Sequence, residues 1–551
     1  MRDRGRIGTA MLERRESYQQ LYDGFRWNIP KTFNIGTAIS NAWAARAPDR
    51  IALLEHRPDG TPATLTYGDF AARSDALASG LARAGLERGD RVALLLPQSF
   101  ETAIAHAAIY KLGAVAVPLA LLFGAEALEY RLFTAGAAAV ITTGSGLAKV
   151  AHIRDRLPAL KLAVCVDGAG AGALDFHRIV ADNHGPFTPA DTGPDDPAMM
   201  IFTSGTTGPP KGALHGHKVL LGHLPGVQFH HEFLPQDHDL LWTPADWAWA
   251  GGLLNVLLPG LYLGTPVVAG RFEKFDPETA LGLMEKMKVR NAFIPPTALR
   301  MLKAVSGIQK RFDLSLRTIG SGGEALGRET FEWARGELGL HINEFYGQTE
   351  CNLVLSSCHA LKVGKPGAIG LPVPGHRVAV IDGEGSPVRD GEPGDIAVLR
   401  PDPVMFLGYW ENEAATRDKF IGDWMTTGDQ GIRDGEGYIH FVGRDDDVIT
   451  SAGYRIGPTE IEDCLTGHPK VALAAAVGKP DPVRTEIVKA YIVLREGTEP
   501  SEALAEEIRL WVRERLSAHE YPREIAFVES MPLTTTGKVI RRIFRERARS
   551  E

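Results

Sequence analysis

Short apolar runs with the length of β-strands alternate with helical stretches along much of this 551-residue chain. In the N-terminal part the strand-like runs cover residues 92–96, 114–119, 138–142 and 162–166, and residues 100–112 have the length and composition of a helix. Strands separated by helices are typical of a parallel sheet with crossover helices. The alternation therefore predicts an α/β fold.

The alternation returns after a looser stretch at residues 168–196. We expect a helix after each strand-like run of this second series. The runs cover residues 198–202, 265–268, 291–294 and 317–319. Two series that are separated by a loose stretch predict two stacked α/β subdomains.

The character of the sequence changes after about residue 365. Residues 365–395 are rich in Gly, Pro and Val, which is typical of short strands and turns, so we expect a β-rich subdomain there. The end of the chain has its own α+β pattern, with helices at 458–465, 501–516 and 539–548 and strands at 471–477, 487–494 and 525–527. This segment is large enough to be a domain. We predict one domain over residues 1–445 and a smaller one over residues 446–551.

Composition and charge exclude several classes of protein. The chain has 60 basic and 68 acidic side chains, a net charge of −8, which disfavours binding to nucleic acid. Its four cysteines form no C-x-x-C pair, which disfavours a disulfide framework or a cysteine zinc site and suits the reducing cytoplasm.

Two further segments have no chemical signature. The longest uncharged run, residues 247–270, contains two prolines and five glycines, so we expect a buried helix followed by a strand and no membrane span. Residues 1–50 are polar with aromatic insertions, and we expect them to form an arm or cap.

The strongest local motif is Thr-Ser-Gly-Thr-Thr-Gly-Pro-Pro-Lys-Gly at residues 203–212, directly after a strand-like run. Its four hydroxyl side chains and three glycines allow backbone amides to approach an anion closely, and Lys211 adds a positive charge. The chain contains no Walker A motif. This composition suits a polyphosphate, and a flexible surface loop is the alternative interpretation.

The same segment resembles the phosphate-loop signature of the adenylate-forming superfamily, which includes acyl-CoA synthetases, luciferases and the adenylation domains of peptide synthetases. Four further segments resemble the other signatures of that superfamily in the same order. They are YGQTE at 346–350, WMTTGD at 424–429, GRDDDVI at 443–449 with GYRIGPTEIE at 453–462, and PLTTTGKVIR at 532–541. The resemblance implies a large N-terminal domain of two stacked α/β subdomains plus a β-rich subdomain, and a small mobile C-terminal α+β domain. It also implies an AMP-forming acyl-CoA synthetase that uses ATP, magnesium and coenzyme A.

The resemblance assigns roles around the phosphates of ATP. It implies that the β- and γ-phosphates are bound by Thr203, Ser204, Gly205, Thr206, Thr207 and Lys211. Thr349 would donate a hydrogen bond to the α-phosphate. Glu350 is a hard oxygen ligand of the kind that suits phosphate-bound magnesium.

The resemblance also assigns roles around the nucleoside. Adenine would lie between Tyr346 on one face and the strand end on the other, formed by Gly322, Gly323 and Glu324. Asp429 would take both ribose hydroxyls, because a carboxylate accepts two such hydrogen bonds, and Arg444 would support it.

The resemblance implies that Lys538 is the catalytic residue of adenylation, because its charge would meet the negative charge that develops on the α-phosphate. The small domain would then rotate about Asp446 and bring Gly453 and Arg455 to the phosphopantetheine arm and phosphates of coenzyme A. The arginines of the terminal helix have two interpretations, coenzyme A binding or, as we expect, an ordinary solvated helix. They are Arg541, Arg542, Arg545, Arg547 and Arg549.

The acyl substrate is less constrained by the sequence. Within the superfamily, residues 245–249 and 406–416 look most like the acetyl-CoA and medium-chain synthetases. Acetate-specific members have a tryptophan where this chain has Gly347, so we expect a larger pocket with Trp249 in its wall. We therefore expect a medium-chain or branched short-chain acid, with an aryl or cyclic acid and a non-CoA adenylating enzyme as alternatives.

Two other features have weaker implications. Six histidines lie between residues 215 and 238, and the absence of an H-E-x-x-H motif favours a structural or pocket role over a metal site. The context of Lys538 resembles a site at which relatives are inactivated by lysine acetylation, so a protein lysine acetyltransferase is a possible partner.

Overall fold

A computed structural model describes residues 11–56, 61–170, 172–203, 209–270, 272, 274–444, 447–451, 454–481, 484–516, 521–534 and 538–551. Within these ranges the chain has a large N-terminal domain with three β-sheets and a smaller C-terminal domain with a fourth. The helices cover Tyr18–Gly24, Ile35–Ile39, Asn41–Ala44, Tyr67–Arg83, Phe100–Leu112, Ala125–Ala135, Gly144–Ala151, Phe176–Asp182, Val219–His230, Ala250–Gly252, Leu258–Leu263, Pro277–Met287, Pro296–Lys303, Ile308–Arg311, Arg328–Glu337, Glu413–Arg417, Pro458–Thr466, Glu502–Arg515 and Arg541–Ser550. Short 3₁₀ turns cover Arg154–Arg156 and His359–Leu361, and a π turn covers Leu253–Leu257. The predicted fold class is confirmed.

Sheet 1 contains the first series of predicted strands. Its order is Gly408–Tyr409, Lys211–Gly216, Pro197–Thr203, Val115–Pro118, Arg91–Leu95, Ala139–Thr142, Leu162–Cys165 and Leu174–Asp175. In this order, each strand from Pro197–Thr203 to Leu174–Asp175 is parallel to the next one. The four strands predicted in the N-terminal part are confirmed to within one or two residues.

The expectation of a helix directly after residues 198–202 is wrong. The chain returns as the antiparallel strand Lys211–Gly216, with Thr203 opposite Lys211. A Cβ on Gly212 would lie 2.7 Å from Sδ of Met200, so this close pairing depends on a residue without a side chain. Glycine is depleted in strands in general, and for that reason the sequence pattern did not indicate the strand.

Sheet 2 contains three of the four strands predicted in the second series, and the first of that series, residues 198–202, lies in sheet 1 instead. Its order is Leu371–Pro372, Cys351–Ser356, Ile342–Gln348, Thr318–Gly322, Asn291–Phe293, Leu241–Trp242, Val267–Ala269, Ile51–His56 and Pro62–Thr66. The strands from Ile342–Gln348 to Ile51–His56 are parallel, and the outer strands are antiparallel. Gly322 and Gln348 stand at the carboxyl ends of two of these parallel strands.

Two buried helices connect the sheets. Phe100–Leu112 packs on sheet 1 and Val219–His230 packs on sheet 2. Both helices share one hydrophobic core with strand residues of both sheets, such as Leu94 and Phe345. This shared core stacks the two α/β subdomains.

Residues 247–270 form the predicted buried helical segment followed by a strand. The helical part runs from Ala250 to Leu263 and includes the π turn, and the strand is Val267–Ala269. In the described part of the chain, no helix combines the length and the hydropathy that a membrane crossing requires.

Sheet 3 is the predicted β-rich part, and its strands are antiparallel. They are Val378–Ile381, Pro393–Leu399, Trp424–Arg433, Phe420–Ile421 and Ile439–Arg444. The N-terminal arm packs against the edge strand Leu371–Pro372 of sheet 2 and the residues that follow it, since the Tyr18 hydroxyl donates to the Pro372 carbonyl at 2.9 Å and the Trp27 indole donates to the Gly375 carbonyl at 2.9 Å. Of the arm or cap predicted over residues 1–50, residues 1–10 lie outside the described part of the chain and helix Ile35–Ile39 belongs to the core.

The C-terminal domain has one sheet with Tyr454–Ile456, Ile449–Ser451, Thr485–Leu494, Val471–Asp481 and Glu524–Phe527. Its terminal helix is not merely solvated, contrary to our expectation. Arg541 forms ion pairs with Glu462 at 2.5 Å and with Asp447 at 3.3 Å, and Arg545 also pairs with Asp447. Two of the five arginines therefore fix the helix to the residues that follow the predicted hinge.

Candidate active site

Asp429 is the centre of a hydrogen-bonded cluster that joins sheets 2 and 3. Its side chain is 8 % exposed, and Oδ2 accepts from the Tyr346 hydroxyl and from Nε2 of Gln348, both at 2.6 Å. Arg444, which lies opposite Asp429 on the neighbouring strand, approaches Oδ1 at 3.4 Å. Burial, and then the charge of Asp429, raise the pKa of Tyr346. Tyr346 is therefore a neutral hydrogen-bond donor beside a carboxylate.

Glu350 and Thr349 occupy the turn between strands Ile342–Gln348 and Cys351–Ser356. Glu350 is buried, and its Oε1 accepts from the Tyr409 hydroxyl at 2.5 Å. The ammonium of Lys211 lies 5.1 Å from the centre of the Tyr409 ring. The structure thus brings the carboxylate of the second motif close to the lysine of the phosphate loop.

The predicted adenine edge follows strand Thr318–Gly322. Gly323 is exposed, and Glu324 is fixed by Arg300 at 2.6 Å and by the Thr297 hydroxyl at 2.9 Å. This leaves the backbone after Gly322 accessible from the cleft.

Lys538 is presented to this cluster by the C-terminal domain. The Lys538 backbone N–H donates to Oγ1 of Thr534 at 3.0 Å, and the Thr534 N–H donates to the Lys538 carbonyl at 2.7 Å. The side chain keeps contact with solvent in the cleft, but the surrounding protein lowers its pKa by desolvation, against which the charges of Glu324 and Asp429 act. The predicted catalytic lysine and the predicted ribose carboxylate therefore face the same cleft from different domains.

Comparisons with known proteins agree with this arrangement. Residues 40–410 match the family model of AMP-binding enzymes, and residues 460–538 match the model of their C-terminal domain. The chain belongs to the AMP-binding enzymes. Within this family it is an acyl-CoA synthetase, which joins an acid to coenzyme A through an acyl-adenylate.

The relatives support that classification. The chain is 34 % identical to the acetyl-coenzyme A synthetase of Bacillus subtilis, over 87 % of this chain and 84 % of that protein. It is 33 % identical to the mitochondrial acyl-coenzyme A synthetase ACSM2 of Rattus norvegicus, over 93 % of this chain and 91 % of that protein.

Solved structures of the family have the same fold. The anthranilate CoA ligase AuaEII, in complex with anthranoyl-AMP, superposes with a TM-score of 0.86 at 28 % identity and covers 94 % of this chain and 98 % of its own. The acyl-CoA synthetase of Brucella canis has a TM-score of 0.75 at 33 % identity, with coverage of 97 % and 99 %.

Lys419 is a residue of this synthetase that sequence reasoning missed. Its half-buried ammonium makes a long contact of 3.4 Å with the Thr427 carbonyl, and no carboxylate of the described residues lies within ion-pair distance of it. Desolvation lowers its pKa, and the charges of Glu350 and Asp429 oppose that shift. Lys419 is therefore a cation in the cleft. The carboxylates of Glu350 and Asp429 lie near it but do not form ion pairs with it. Its sequence signal is weak, because it belongs to no motif and lies ten residues before Asp429.

Trp249 and Gly347, the residues predicted for the acyl pocket, both lie in the N-terminal domain. Trp249 is partly buried and packs edge-on against Phe123, with 5.8 Å between ring centres. A Cβ on Gly347 would lie 2.7 Å from the Cα and Oδ1 of Asn352. The space along that direction is filled by the neighbouring strand, so the absence of an indole at residue 347 does not simply leave a cavity there.

Several predicted residues lie outside the described part of the chain. They are Ser204, Gly205, Thr206, Thr207, Asp446 and Gly453. Thr203 ends its strand opposite Lys211. Arg455 lies on strand Tyr454–Ile456, for which the structure describes the backbone of this residue and not its side chain. The predicted roles of all these residues remain predictions.

Five of the six clustered histidines are buried, and His238 is exposed. Burial lowers the pKa of His215 and His217 to about 4 and that of His223 and His230 to about 3, so these side chains are neutral at pH 7. Among the described residues, no group of three or more metal-ligating side chains occurs. Nδ1 of His223 lies 2.7 Å from the Val219 carbonyl, and Nδ1 of His231 lies 2.9 Å from the Thr318 hydroxyl.

Proposed function

We propose that this synthetase activates a medium-chain or branched short-chain carboxylic acid with ATP and transfers it to coenzyme A. The observation that carries the proposal is the position of Lys538, which the C-terminal domain directs at the cleft containing Asp429 and Glu324. The cleft is lined by a carboxylate for the ribose and by several cations for phosphates.

In the first half-reaction, a carboxylate oxygen of the acid attacks the α-phosphorus of ATP, and the bond to pyrophosphate breaks. The acid needs no general base, because it is ionised at neutral pH. Negative charge grows on the oxygens around the α-phosphorus, and we assign Lys538 to meet it in a cleft with little water. We assign Thr349, on the turn that also contains Glu350, as a hydrogen-bond donor to the same phosphate.

The nucleotide is held by the N-terminal domain. We propose that Asp429 accepts the two ribose hydroxyls in exchange for part of its present hydrogen bonding to Tyr346 and Gln348. Adenine then lies between the Tyr346 ring and the backbone of residues 322–324. We further propose that Lys211 and Lys419 contact the pyrophosphate portion, because Lys419 lies near Glu350 and Asp429 and the Lys211 ammonium lies 5.1 Å from the centre of the Tyr409 ring, whose hydroxyl donates to Glu350.

Glu350 is a suitable ligand for magnesium. A single buried carboxylate is the usual protein contribution to a magnesium ion that is held mainly by phosphate oxygens and water. The Tyr409 hydroxyl orients this carboxylate and leaves Oε2 available. When bound, the ion would neutralise charge on the phosphates.

In the second half-reaction, the thiol of coenzyme A attacks the acyl carbon, AMP leaves, and the thiol proton goes to solvent. We propose that Lys538 withdraws for this step by rotation of the C-terminal domain, residues 446–551, about Asp446. The strand containing Arg455 would then approach coenzyme A, with Gly453 beside its pantetheine arm.

The acyl preference distinguishes this proposal from its alternatives. Trp249 and Phe123 form an aromatic wall that suits a chain longer than acetate. The solved anthranilate and benzoate CoA ligases keep an aryl acid as the second candidate. The amide bond synthetase McbA shows that the same fold also occurs in a protein named for a different product.

The test is a panel of acids, assayed for AMP release with and without coenzyme A. We expect turnover only with coenzyme A, best with medium-chain or branched acids and weak with acetate. Strong preference for acetate or benzoate would refute the acyl assignment. Multiple turnovers without coenzyme A would refute thioester formation.

We also propose that Lys538 is accessible to a lysine acetyltransferase, because its side chain is exposed in the cleft. Acetylation removes the charge that adenylation needs. Loss of adenylation after acetylation, and its return after deacetylation, is the expected result.

The four free thiols suit a reducing compartment such as the cytoplasm.

A further inference from the structure

A helix of the C-terminal domain contacts the first turn of a helix in the N-terminal domain. Oδ2 of Asp463, on helix Pro458–Thr466, accepts the backbone N–H of Arg328 at 3.0 Å. Arg328 is the first residue of helix Arg328–Glu337, and the preceding residue, Gly327, has no side chain that could cap this helix. A carboxylate from one domain therefore caps a helix of the other.

The approach of the two domains is close at this point. A Cβ on Gly327 would lie 1.9 Å from Oδ1 of Asp463, and the φ angle of Gly327 is +81°. A second contact lies nearby, where a Cβ on Gly467 would lie 3.3 Å from the carboxyl group of Glu329. Two glycines, one in each domain, thus allow side chains of the opposite domain to approach the backbone closely.

Burial raises the pKa of Asp463, and the hydrogen bond from the Arg328 N–H acts against that shift. A carboxylate is stabilised at a helix N-terminus by the unpaired N–H groups and the helix dipole. Arg300 and Lys303 contribute positive charge from the N-terminal domain, while Glu329 opposes them. Half-burial costs Asp463 some hydration, which the Arg328 N–H partly replaces.

We propose that Asp463 is a positioning residue, whose contact with the helix of Arg328 docks the C-terminal domain so that Lys538 faces the nucleotide. This inference rests on the proposed function, in which the domain adopts this orientation for adenylation and leaves it for thioester formation. The contact of Asp463 is with the Arg328 backbone and not with a residue assigned to the phosphates or the acid, so we expect its removal to change the population of the docked state and to leave the chemistry of the other state intact.

The experiment measures each half-reaction separately in the full-length protein. Adenylation is followed by acid-dependent ATP–pyrophosphate exchange without coenzyme A, and thioester formation is followed with supplied acyl-AMP and coenzyme A. We expect Asp463→Ala to slow adenylation about fivefold to thirtyfold, which corresponds to a helix cap worth about 1–2 kcal/mol. Thioester formation should change less than twofold.

Three further variants make the result specific. Asp463→Asn should restore most of the adenylation rate, because an asparagine oxygen also caps helices. Gly327→Ala should reproduce the selective loss from the other domain, because its Cβ blocks the contact and its φ is unfavourable. Glu499→Ala removes an exposed acid of the same domain and should change neither rate.

An equal loss in both half-reactions, or unchanged adenylation in both Asp463→Ala and Gly327→Ala, would overturn the inference. If Asp463→Ala does not fold, the ratio of the two rates in Gly327→Ala decides. Failure of the proposed function would be visible separately, because the unmodified protein would then not form a thioester.

Discussion

The two walls of the active-site cleft are built differently. In the N-terminal domain, Asp429 is fixed by three side chains, from Tyr346, Gln348 and Arg444. In the C-terminal domain, Lys538 is placed by backbone contacts of its own loop with Thr534. In the proposed function, the fixed wall holds groups that both half-reactions need, and the other wall presents a group that only one half-reaction needs. Three predictions test this difference, ordered from the largest expected effect, and a fourth concerns the stability of the fixed wall.

Replacing Lys538 with methionine should separate the half-reactions most strongly. We expect Lys538→Met to slow adenylation about a hundredfold to a thousandfold, as for the loss of one charged group at a transition-state oxyanion. Conversion of supplied acyl-AMP should remain within about twofold. Pyrophosphate exchange and thioester formation measure the two rates, and Lys161→Met, at an exposed lysine, is the matched control.

Replacing Asp429 with asparagine should affect both half-reactions. An amide oxygen accepts the ribose hydroxyls less strongly than a carboxylate, so we expect KM for ATP to rise about tenfold to a hundredfold. KM for supplied acyl-AMP should rise in parallel, since the ribose is still present. Asp49→Asn changes an exposed aspartate and provides the control. An effect confined to adenylation would contradict the fixed role of this wall.

Lys419 should have a smaller effect, confined to the binding of ATP and pyrophosphate. We expect Lys419→Met to raise KM for both about threefold to tenfold, because the ammonium stays partly hydrated. The affinity for supplied acyl-AMP, which lacks these phosphates, should not change. Steady-state kinetics of both directions give the values, again against Lys161→Met. Equal loss of acyl-AMP affinity would place Lys419 at the ribose instead.

Glu344 should affect stability with a defined pH dependence. Burial raises the pKa of Glu344 to about 8. The Leu326 N–H donates to its carboxylate at 3.1 Å, and this hydrogen bond acts in the opposite direction. Because the folded pKa is raised, its contribution is complete below about pH 4.5 and is lost as pH rises toward 8. We expect Glu344→Gln, which keeps the acceptor oxygen, to gain on the order of 1–2 kcal/mol relative to the unmodified protein over that range.

Urea denaturation at pH 5 and pH 8 measures the gain. Glu337→Gln, an exposed acid on helix Arg328–Glu337, is the control and should show no such gain. A gain that is the same at both pH values would contradict the assignment of the pKa to Glu344.

Local sequence pattern was sufficient for the regular elements and for the motif residues. Helix Phe100–Leu112 begins and ends as the apolar pattern predicts, and the motif residues Asp429 and Lys538 lie close enough for their charges to interact, while their roles stay predictions. These features depend on short segments whose chemistry is visible in the segment itself.

The remaining features depend on partners that are distant in the sequence. Strand Lys211–Gly216 exists because Gly212 fits against Met200, and the terminal helix is anchored because Arg541 meets Glu462. Lys419 and Asp463 acquire their positions only from the packing of sheets and domains. No periodicity or motif within their own segments indicates those contacts.

The central claim is that one cleft is used in two orientations of the C-terminal domain. The most direct test is a Gly327→Cys/Asp463→Cys variant, because the Asp463 carboxyl carbon lies 2.6 Å from where a Cβ of residue 327 would be. The oxidised variant, in which the disulfide replaces the lost contact, should form acyl-AMP faster than the reduced variant but should form no thioester, and a reductant should restore thioester formation. Thioester formation at the same rate in the oxidised and reduced states would contradict the account.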